Sequence, residues 1–133
     1  MFTISNQSDY AMLLLEYLAK HKAGVPLSKV VEELRLPRRY MAQIAAKLVQ
    51  AQILESREGV KGGYKLIKPL AKIRLYDVLR LFEGDMKLVK CAHEDYDCQW
   101  EKMCKHSPFW KKVLTDKLIS SLNTIYLNDI VTK

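Results

Sequence analysis

Residues 36–67 read Leu-Pro-Arg-Arg-Tyr-Met-Ala-Gln-Ile-Ala-Ala-Lys-Leu-Val-Gln-Ala-Gln-Ile-Leu-Glu-Ser-Arg-Glu-Gly-Val-Lys-Gly-Gly-Tyr-Lys-Leu-Ile, and this stretch decides the fold. Pro37 suits the first position of a helix. The apolar side chains that follow recur at helical spacing and are Tyr40, Met41, Ile44, Ala45 and Leu48. The positions that face the other way are Arg38, Arg39, Gln43 and Lys47. The pattern therefore predicts an amphipathic helix with a basic outer face.

The rest of this stretch predicts a two-stranded ribbon, because residues 53–57 and 64–67 flank a glycine-containing loop. Upstream, apolar spacing predicts a helix from residue 8 to about 21, with Ser8 or Ser5 as its N-cap. A second, short helix should begin near Ser28. Two helices, a tight turn, a basic helix and a ribbon form a winged helix-turn-helix, which sets its third helix in the major groove of DNA.

The C-terminal half is predicted to be helical. Residues 73–83 form a short helix that ends at Gly84. From Ser107 to about residue 122, apolar side chains recur every three or four positions, which predicts a long helix that dimerises or packs on its own domain. A closing helix capped by Thr124 follows. The expected fold class is mainly α with a small β-ribbon, and the expected domains are residues 1–84 for DNA binding, 85–106 for a cysteine-rich segment and 107–133 for a helical dimerisation arm.

The positive charge is concentrated in one part of the chain. The formal net charge of the 133 residues is +7, yet residues 22–74 alone hold 12 Lys/Arg against 4 Asp/Glu, or +8. A localised basic surface attracts polyanions because neutralised phosphates release counterions. We therefore expect double-stranded DNA as the partner, with a merely solvated lysine-rich face as the alternative. The N-terminus lacks a signal-peptide pattern and no apolar run approaches a bilayer's width, so a cytoplasmic location is expected.

Arg38, Arg39 and Gln43 are the candidate groove contacts, because they project from the first turns of the third helix. Tyr40 is expected to lie partly in the core and partly against a phosphate. For Lys47, which lies further along the helix, a solvated position is at least as good an interpretation.

All three cysteines fall in one stretch, Cys91, Cys98 and Cys104. An odd count in a reducing compartment argues against a disulfide framework and leaves metal binding, redox sensing or burial, in that order. Thiolates hold iron in iron–sulfur clusters, and zinc in a Cys3His set with His106 or His93 is the alternative. A thiol enzyme is disfavoured because no oxyanion donor or substrate motif accompanies the cysteines, so no catalytic residue is predicted.

Several motifs in a fixed order resemble one family. They are Ser8-Asp9-Tyr10-Ala11, the segment from Leu36 to Leu48, Gly59-Val-Lys-Gly-Gly-Tyr64-Lys-Leu66, Ile73-x-Leu-x-Asp77-Val78, the three cysteines and Trp110. Together they cover almost the whole chain and resemble the Rrf family of winged-helix transcription regulators, with IscR, NsrR and CymR relatives. The resemblance implies a homodimer that binds a DNA operator and whose affinity depends on an iron–sulfur cluster, either 2Fe-2S or 4Fe-4S.

The resemblance also implies ligand roles, and they are closer to the NsrR pattern. Cys91, Cys98 and Cys104 would ligate the cluster together with Asp9 of the partner subunit. In the wing, the family usually places an arginine directly before the first glycine; here Glu58 holds that position and Arg57 precedes it. Arg57 and Lys61 are therefore the expected wing contacts with DNA. The alternative function is a metal-free or zinc-binding winged-helix regulator controlled by thiol oxidation or by a partner protein.

Overall fold

The computed structural model describes residues 3–60 and 62–131, and three helices open the fold. They are α1 (Asn6–Ala19), α2 (Leu27–Leu34) and α3 (Arg38–Gln50). Ser5 is the N-cap of α1, since its hydroxyl accepts a hydrogen bond from the Ser8 N–H at 3.3 Å, so Ser5 is the correct choice of the two predicted caps. Pro37 is the N-cap of α3 and not its first residue, so this helix begins at Arg38, one residue later than predicted.

A tight turn joins α2 to α3. Arg35 closes α2 in the left-handed region with φ of 53°, a conformation that usually selects glycine. The Leu36 N–H then donates back to the Val31 carbonyl oxygen at 3.1 Å. This turn directs Arg38 and the following residues into α3, as the helix-turn-helix pattern predicted.

The wing is an antiparallel ribbon of β1 (Leu54–Arg57) and β2 (Gly63–Leu66). It is tied to the loop before α2, because Val25 and Tyr64 exchange two backbone hydrogen bonds of 3.0 and 2.8 Å. Gly63 makes this approach possible: its φ is 129°, and a Cβ there would lie 2.3 Å from the Val25 carbonyl. Lys61, one of the two predicted wing contacts, lies outside the described residues.

The core surrounds α1. Ala11, Leu14 and Leu15 of that helix are fully buried, and α3 and α4 (Leu75–Glu83) pack against it. Leu127, near the far end of the chain, belongs to the same core. Two backbone hydrogen bonds hold it there, from Leu75 N to Ile125 O and from Leu127 N to Ile73 O, both 2.9 Å. Residues 125–127 therefore pack onto the winged-helix unit.

The helix α4 ends at Gly84 (φ 78°), as predicted. Where one long C-terminal helix was predicted, the structure has a π-helical stretch over Phe109–Leu114 followed by the shorter α-helix α5 (Thr115–Asn123). The Thr115 hydroxyl donates to the Trp110 carbonyl oxygen at 2.9 Å. This side-chain hydrogen bond gives that carbonyl a partner within the π-helical turn.

The closing helix is α6 (Leu127–Ile130), and its predicted cap was wrong. Tyr126 caps this helix, whereas Thr124 ends α5 and its hydroxyl donates to the Ser121 carbonyl oxygen at 2.7 Å. The fold class is mainly α with one two-stranded sheet in the described residues, which confirms the predicted class. No helix of the described ranges is long and apolar enough to span a bilayer.

Candidate functional site

The outer face of α3 carries the predicted groove contacts. Arg38, Arg39 and Gln43 are all exposed, while the inward positions Met41 and Ile44 are buried. Neither arginine forms a salt bridge with another described residue. Two guanidinium groups at the start of a helix can each present a fork of donors to phosphate oxygens or to guanine edges.

Tyr40 joins this face to the core. It is half-buried, and its ring meets that of Tyr10 edge-on, with centroids 5.6 Å apart. Lys47 is directed elsewhere, because its ammonium lies 5.6 Å from the centroid of the Phe82 ring on α4. Lys47 is therefore engaged with α4, whereas the first turns of α3 remain open to a nucleic acid.

Arg57 lies at the end of β1 and is exposed. It pairs with Glu55 on the same face of the strand, with 3.4 Å between Nη2 and Oε1. Such an exposed pair contributes at most about 1 kcal/mol, so phosphate can displace the carboxylate at small cost. The other predicted wing contact, Lys61, is among the residues whose placement is not described.

The three cysteines line one cleft. Its volume is about 580 Å³, and the aromatic residues Tyr96, Trp100 and Trp110 contribute to its walls. Cys91 sits in a short 3-10 turn, Lys90–Ala92. Cys98 and Cys104 are joined by successive turns, in which the Trp100 carbonyl oxygen accepts from the Cys104 N–H at 2.8 Å. The local turns thus bring all three free, half-buried thiols to one cavity.

The thiol of Cys104 has the most distinctive surroundings. Its Sγ lies 3.5 Å from His106 Nε2, and the His106 ring is tilted against Trp110 with centroids 4.5 Å apart. Partial burial opposes ionisation, but hydrogen bonds from Ser107 and from the His106 backbone, together with the positive charge of Lys111, outweigh it and lower the pKa of Cys104 below its usual value. A thiolate is the form of cysteine that binds metals and reacts with oxidants.

The donor chemistry of the cleft fits a thiolate-held group, because three thiols line a single cavity. In the described part of the chain, however, no three His, Cys, Asp or Glu side chains are arranged to hold a metal ion. His93 does not line the cleft, so of the two predicted histidines only His106 does.

Asp9 lies in the first turn of α1 and is exposed. It is not among the residues that line the cysteine cleft of its own chain. Its neighbour Ser8 is fully buried, and the Ser8 hydroxyl donates to Glu83 Oε1 at 2.7 Å. The same carboxylate oxygen accepts from the Ser5 N–H at 2.7 Å. Glu83 therefore fixes the turn that carries Asp9.

Sequence reasoning missed this role of Glu83, because its two partners are distant in the sequence: Ser8 lies 75 positions before Glu83 and Ser5 lies 78 positions before it. Burial favours the protonated form of its carboxyl, but the hydrogen bonds from Ser8 and Ser5 prevail and lower the pKa of Glu83. A second missed contact joins α1 to α2: the Tyr17 hydroxyl donates to Glu33 Oε2 at 2.6 Å, and this hydrogen bond is the main reason that the pKa of Tyr17 rises to about 12.

Comparison with known proteins gives consistent matches. A family profile described as "Rrf2: Iron-dependent Transcriptional regulator" matches residues 4–133. The transcriptional regulator IscR of Vibrio atlanticus is 28% identical over 130 residues, which are 96% of this chain and 74% of that protein. The solved structure of T. potens IscR is 27% identical with a TM-score of 0.68, and the match covers 97% of this chain and 85% of that one.

The structure of CymR from B. subtilis, described as its global cysteine regulator, superposes with a TM-score of 0.74 over 98% of this chain and 96% of that one. At 22% identity this likeness shows the fold alone. The named relatives are transcriptional regulators, which confirms the prediction that this chain is not an enzyme.

Proposed function

Because the chain belongs to the Rrf2 family of transcription regulators, we propose that it binds a DNA operator with an affinity that an iron–sulfur cluster modulates. The observation that carries the proposal is the single cleft that Cys91, Cys98 and Cys104 all line. The iron dependence in the family's description supports it. In this proposal residues 1–84 are the DNA-binding domain, 85–106 hold the cluster and 107–133 form the helical arm.

The three cysteine thiolates would hold the cluster, with Asp9 of the partner subunit as the proposed fourth ligand. Such a cluster would supply labile iron that responds to oxidants, nitric oxide or the supply of clusters. Asp9 is exposed, so its carboxylate is accessible to a second copy of the chain. The lowered pKa of Cys104 favours the thiolate that ligation requires.

The homodimer would form through the apolar face of the C-terminal helical segment. Four large apolar side chains there remain 39 to 47% exposed in the single chain, namely Phe109, Trp110, Val113 and Leu118. A contiguous apolar stripe of this kind marks an interaction surface. Pairing two chains would also present two copies of α3 to successive major grooves, which multiplies the contacts.

DNA would be read by Arg38, Arg39, Tyr40 and Gln43 in the major groove, while Arg57 and Lys61 would reach the backbone or the minor groove from the wing. The exposed first turn of α3 supports the groove contacts. The backbone tie between Val25 and Tyr64 supports the wing contacts, because it holds β2 beside the helix-turn-helix.

The second candidate is a cluster-free regulator that senses oxidants through its thiols. Cys104, whose Sγ lies 3.5 Å from His106 Nε2, favours this candidate, because a lowered thiol pKa raises the fraction of thiolate, the form that oxidants attack.

The deciding experiment is anaerobic purification followed by an absorption spectrum and assays of iron and acid-labile sulfide. Visible charge-transfer bands with matched iron and sulfide support the cluster. Cys98→Ala should abolish the bands, whereas Met103→Ala, which removes an exposed non-thiol from the same cleft, should retain them. A colourless protein that also resists reconstitution would refute cluster binding and leave the thiol-based candidate.

Modulation is tested on duplexes that the wild-type protein enriches from genomic fragments. Cluster-loaded and cluster-free protein should differ in affinity for the enriched duplex, and Cys98→Ala should bind it equally after both treatments. Equal affinity of all forms would refute modulation while leaving DNA binding intact. A binding constant that falls steeply with salt concentration is expected for phosphate contacts, and a flat dependence would contradict DNA binding itself.

A further inference from the structure

A second cavity, of about 550 Å³, lies away from the cysteines. The end of α1, the strand β2 with the residues after it, and Asn128 of α6 form its walls. Its volume falls within the range of small-molecule sites, roughly 300–1,000 Å³. We name it the lysine cavity, because Lys22, Lys65 and Lys68 all line it.

The charges of the lysine cavity are of one sign. The three lysines come from separate positions around the wall, with Lys22 beyond α1, Lys65 on β2 and Lys68 after β2. Among the described residues, no Asp or Glu lines the cavity. Like charges that line one cavity beside apolar surface repel one another and give the cavity a positive potential, so the cavity has a net preference for an anion.

The floor of the lysine cavity is apolar. Ile67, which is 49% exposed, offers accessible apolar surface, while the core residues Leu18 and Leu70 are only 2% and 8% exposed and close the cavity beneath it. A purely hydrophilic anion such as phosphate would leave this apolar surface wet, whereas an apolar tail would cover it.

One wall is held rigidly. His21 Nδ1 lies 2.8 Å from the Tyr17 carbonyl oxygen, and because that oxygen can only accept, Nδ1 carries the proton. The His21 ring also stacks on Tyr17 with centroids 4.3 Å apart. A wall fixed in this way loses little conformational freedom when a ligand binds.

We propose that the lysine cavity binds a small organic anion that joins a carboxylate or phosphate head to an apolar body. The lysines hold the head group, and the floor formed by Leu18, Ile67 and Leu70 covers the body. This site shares no residue with the cysteine cleft, so it is independent of the metal chemistry proposed there.

The probes are octanoate and monooctyl phosphate, with 1-octanol as the uncharged match. Each is titrated into the full chain below its micelle concentration and followed by amide chemical shifts in two-dimensional NMR. Saturable shifts centred on residues 18–22 and 65–71 with the anions, and not with octanol, are expected. The tighter of the two anions identifies the head group. Shifts from octanol of equal affinity, shifts centred on the cysteine cleft, or no saturable shifts would overturn the proposal.

Charge variants test the lysines. Lys22→Gln and Lys68→Gln should each weaken octanoate binding by about three-fold or more. Lys72→Gln removes the same charge from an exposed lysine that does not line the cavity, and it should leave binding unchanged. If all three variants weaken octanoate binding equally, the anion is attracted only by the net positive charge of the protein, and the proposal fails. If Lys22→Gln and Lys68→Gln instead lower only duplex affinity and its salt dependence, the lysines are a DNA-backbone surface and the proposal fails.

Discussion

Removing the carboxylate of Glu83 should loosen the start of α1. Glu83 accepts two hydrogen bonds of 2.7 Å, from the Ser5 N–H and from the Ser8 hydroxyl. Ser8 is fully buried, so Glu83→Ala leaves that hydroxyl without its acceptor. An orphaned buried polar group costs roughly 1–3 kcal/mol, and we expect a loss of about 2 kcal/mol in the free energy of unfolding. Glu83→Gln keeps an oxygen acceptor but no charge, and should cost about 1 kcal/mol.

The assay is urea unfolding followed by circular dichroism. The control is Asp85→Ala, because the pair of Asp85 with Arg80 is highly exposed at 3.4 Å and should contribute less than about 1 kcal/mol. The urea dependence of the free energy should be the same in all variants, since the surface exposed on unfolding does not change. If Glu83→Ala loses no more stability than Asp85→Ala, the reasoning from the buried hydroxyl is wrong.

The pH dependence of the same variants gives a second check. The folded-state pKa of Glu83 is lowered, so its stabilisation is fully present above the unfolded value, about 4.3, and is lost as the pH falls through the folded value. The difference in unfolding free energy between wild type and Glu83→Gln should therefore be constant near neutral pH and shrink below about pH 4.3. A difference that stays constant down to pH 3 would exclude the ionised carboxylate as its source.

Four further changes probe the DNA-binding head and the helical arm. Arg39→Ala should weaken binding of an enriched duplex several-fold, as measured by fluorescence anisotropy. It should also reduce the slope of the logarithm of the binding constant against the logarithm of salt concentration by about one; an unchanged slope and affinity would reject the contact. Gly63→Ala should cost about 2 kcal/mol or more in urea unfolding, because the new methyl would lie 2.3 Å from the Val25 carbonyl; Gly59→Ala meets no atom within 4 Å and should lose less. Arg35→Gly should raise the unfolding free energy by about 0.5–1 kcal/mol by relieving a left-handed φ of 53°, and a loss of stability would contradict this. Leu118→Glu should shift the sedimentation coefficient toward that of the monomer, because it places a charge on the apolar face. Lys117→Glu is the control, and equal dissociation by both variants would show that added negative charge, and not loss of the apolar contact, separates the chains.

Local patterns predicted most of the fold. The spacing of Met41, Ile44 and Leu48 is sufficient for α3, and these side chains are buried as expected. The π turn before α5 was not predictable in this way, because apolar spacing of three and four residues fits both helix types. The two helix types differ in whether their backbone hydrogen bonds span four or five residues, and the Thr115 hydroxyl, which donates to the Trp110 carbonyl oxygen five residues earlier, adds a contact that periodicity does not encode.

The candidate sites differ in the same way: those built from residues close in sequence were predictable, and those built by tertiary packing were not. Cys91, Cys98 and Cys104 are close in sequence, so short turns suffice to bring them to one cleft. The contact of Glu83 with Ser8 and the lysine cavity both depend on tertiary packing, in which residues far apart in sequence meet. No periodic or motif signal marks such positions, and a lone glutamate at the end of a helix reads as an exposed charge.

The end of α4 connects the cysteine segment to the predicted DNA-binding face. Adjacent residues at the end of α4 contact different elements: Phe82 lies under the Lys47 ammonium of α3, and Glu83 holds the start of α1 beside Asp9. The cysteine segment begins directly after this point in the chain. In the function proposed above, a change in the order of that segment would reach both α1 and α3 through these contacts, as coupling between a ligand and DNA requires. Glu83→Gln should then reduce the ratio of duplex affinities between cluster-loaded and cluster-free protein, and an unchanged ratio would show that coupling bypasses α4.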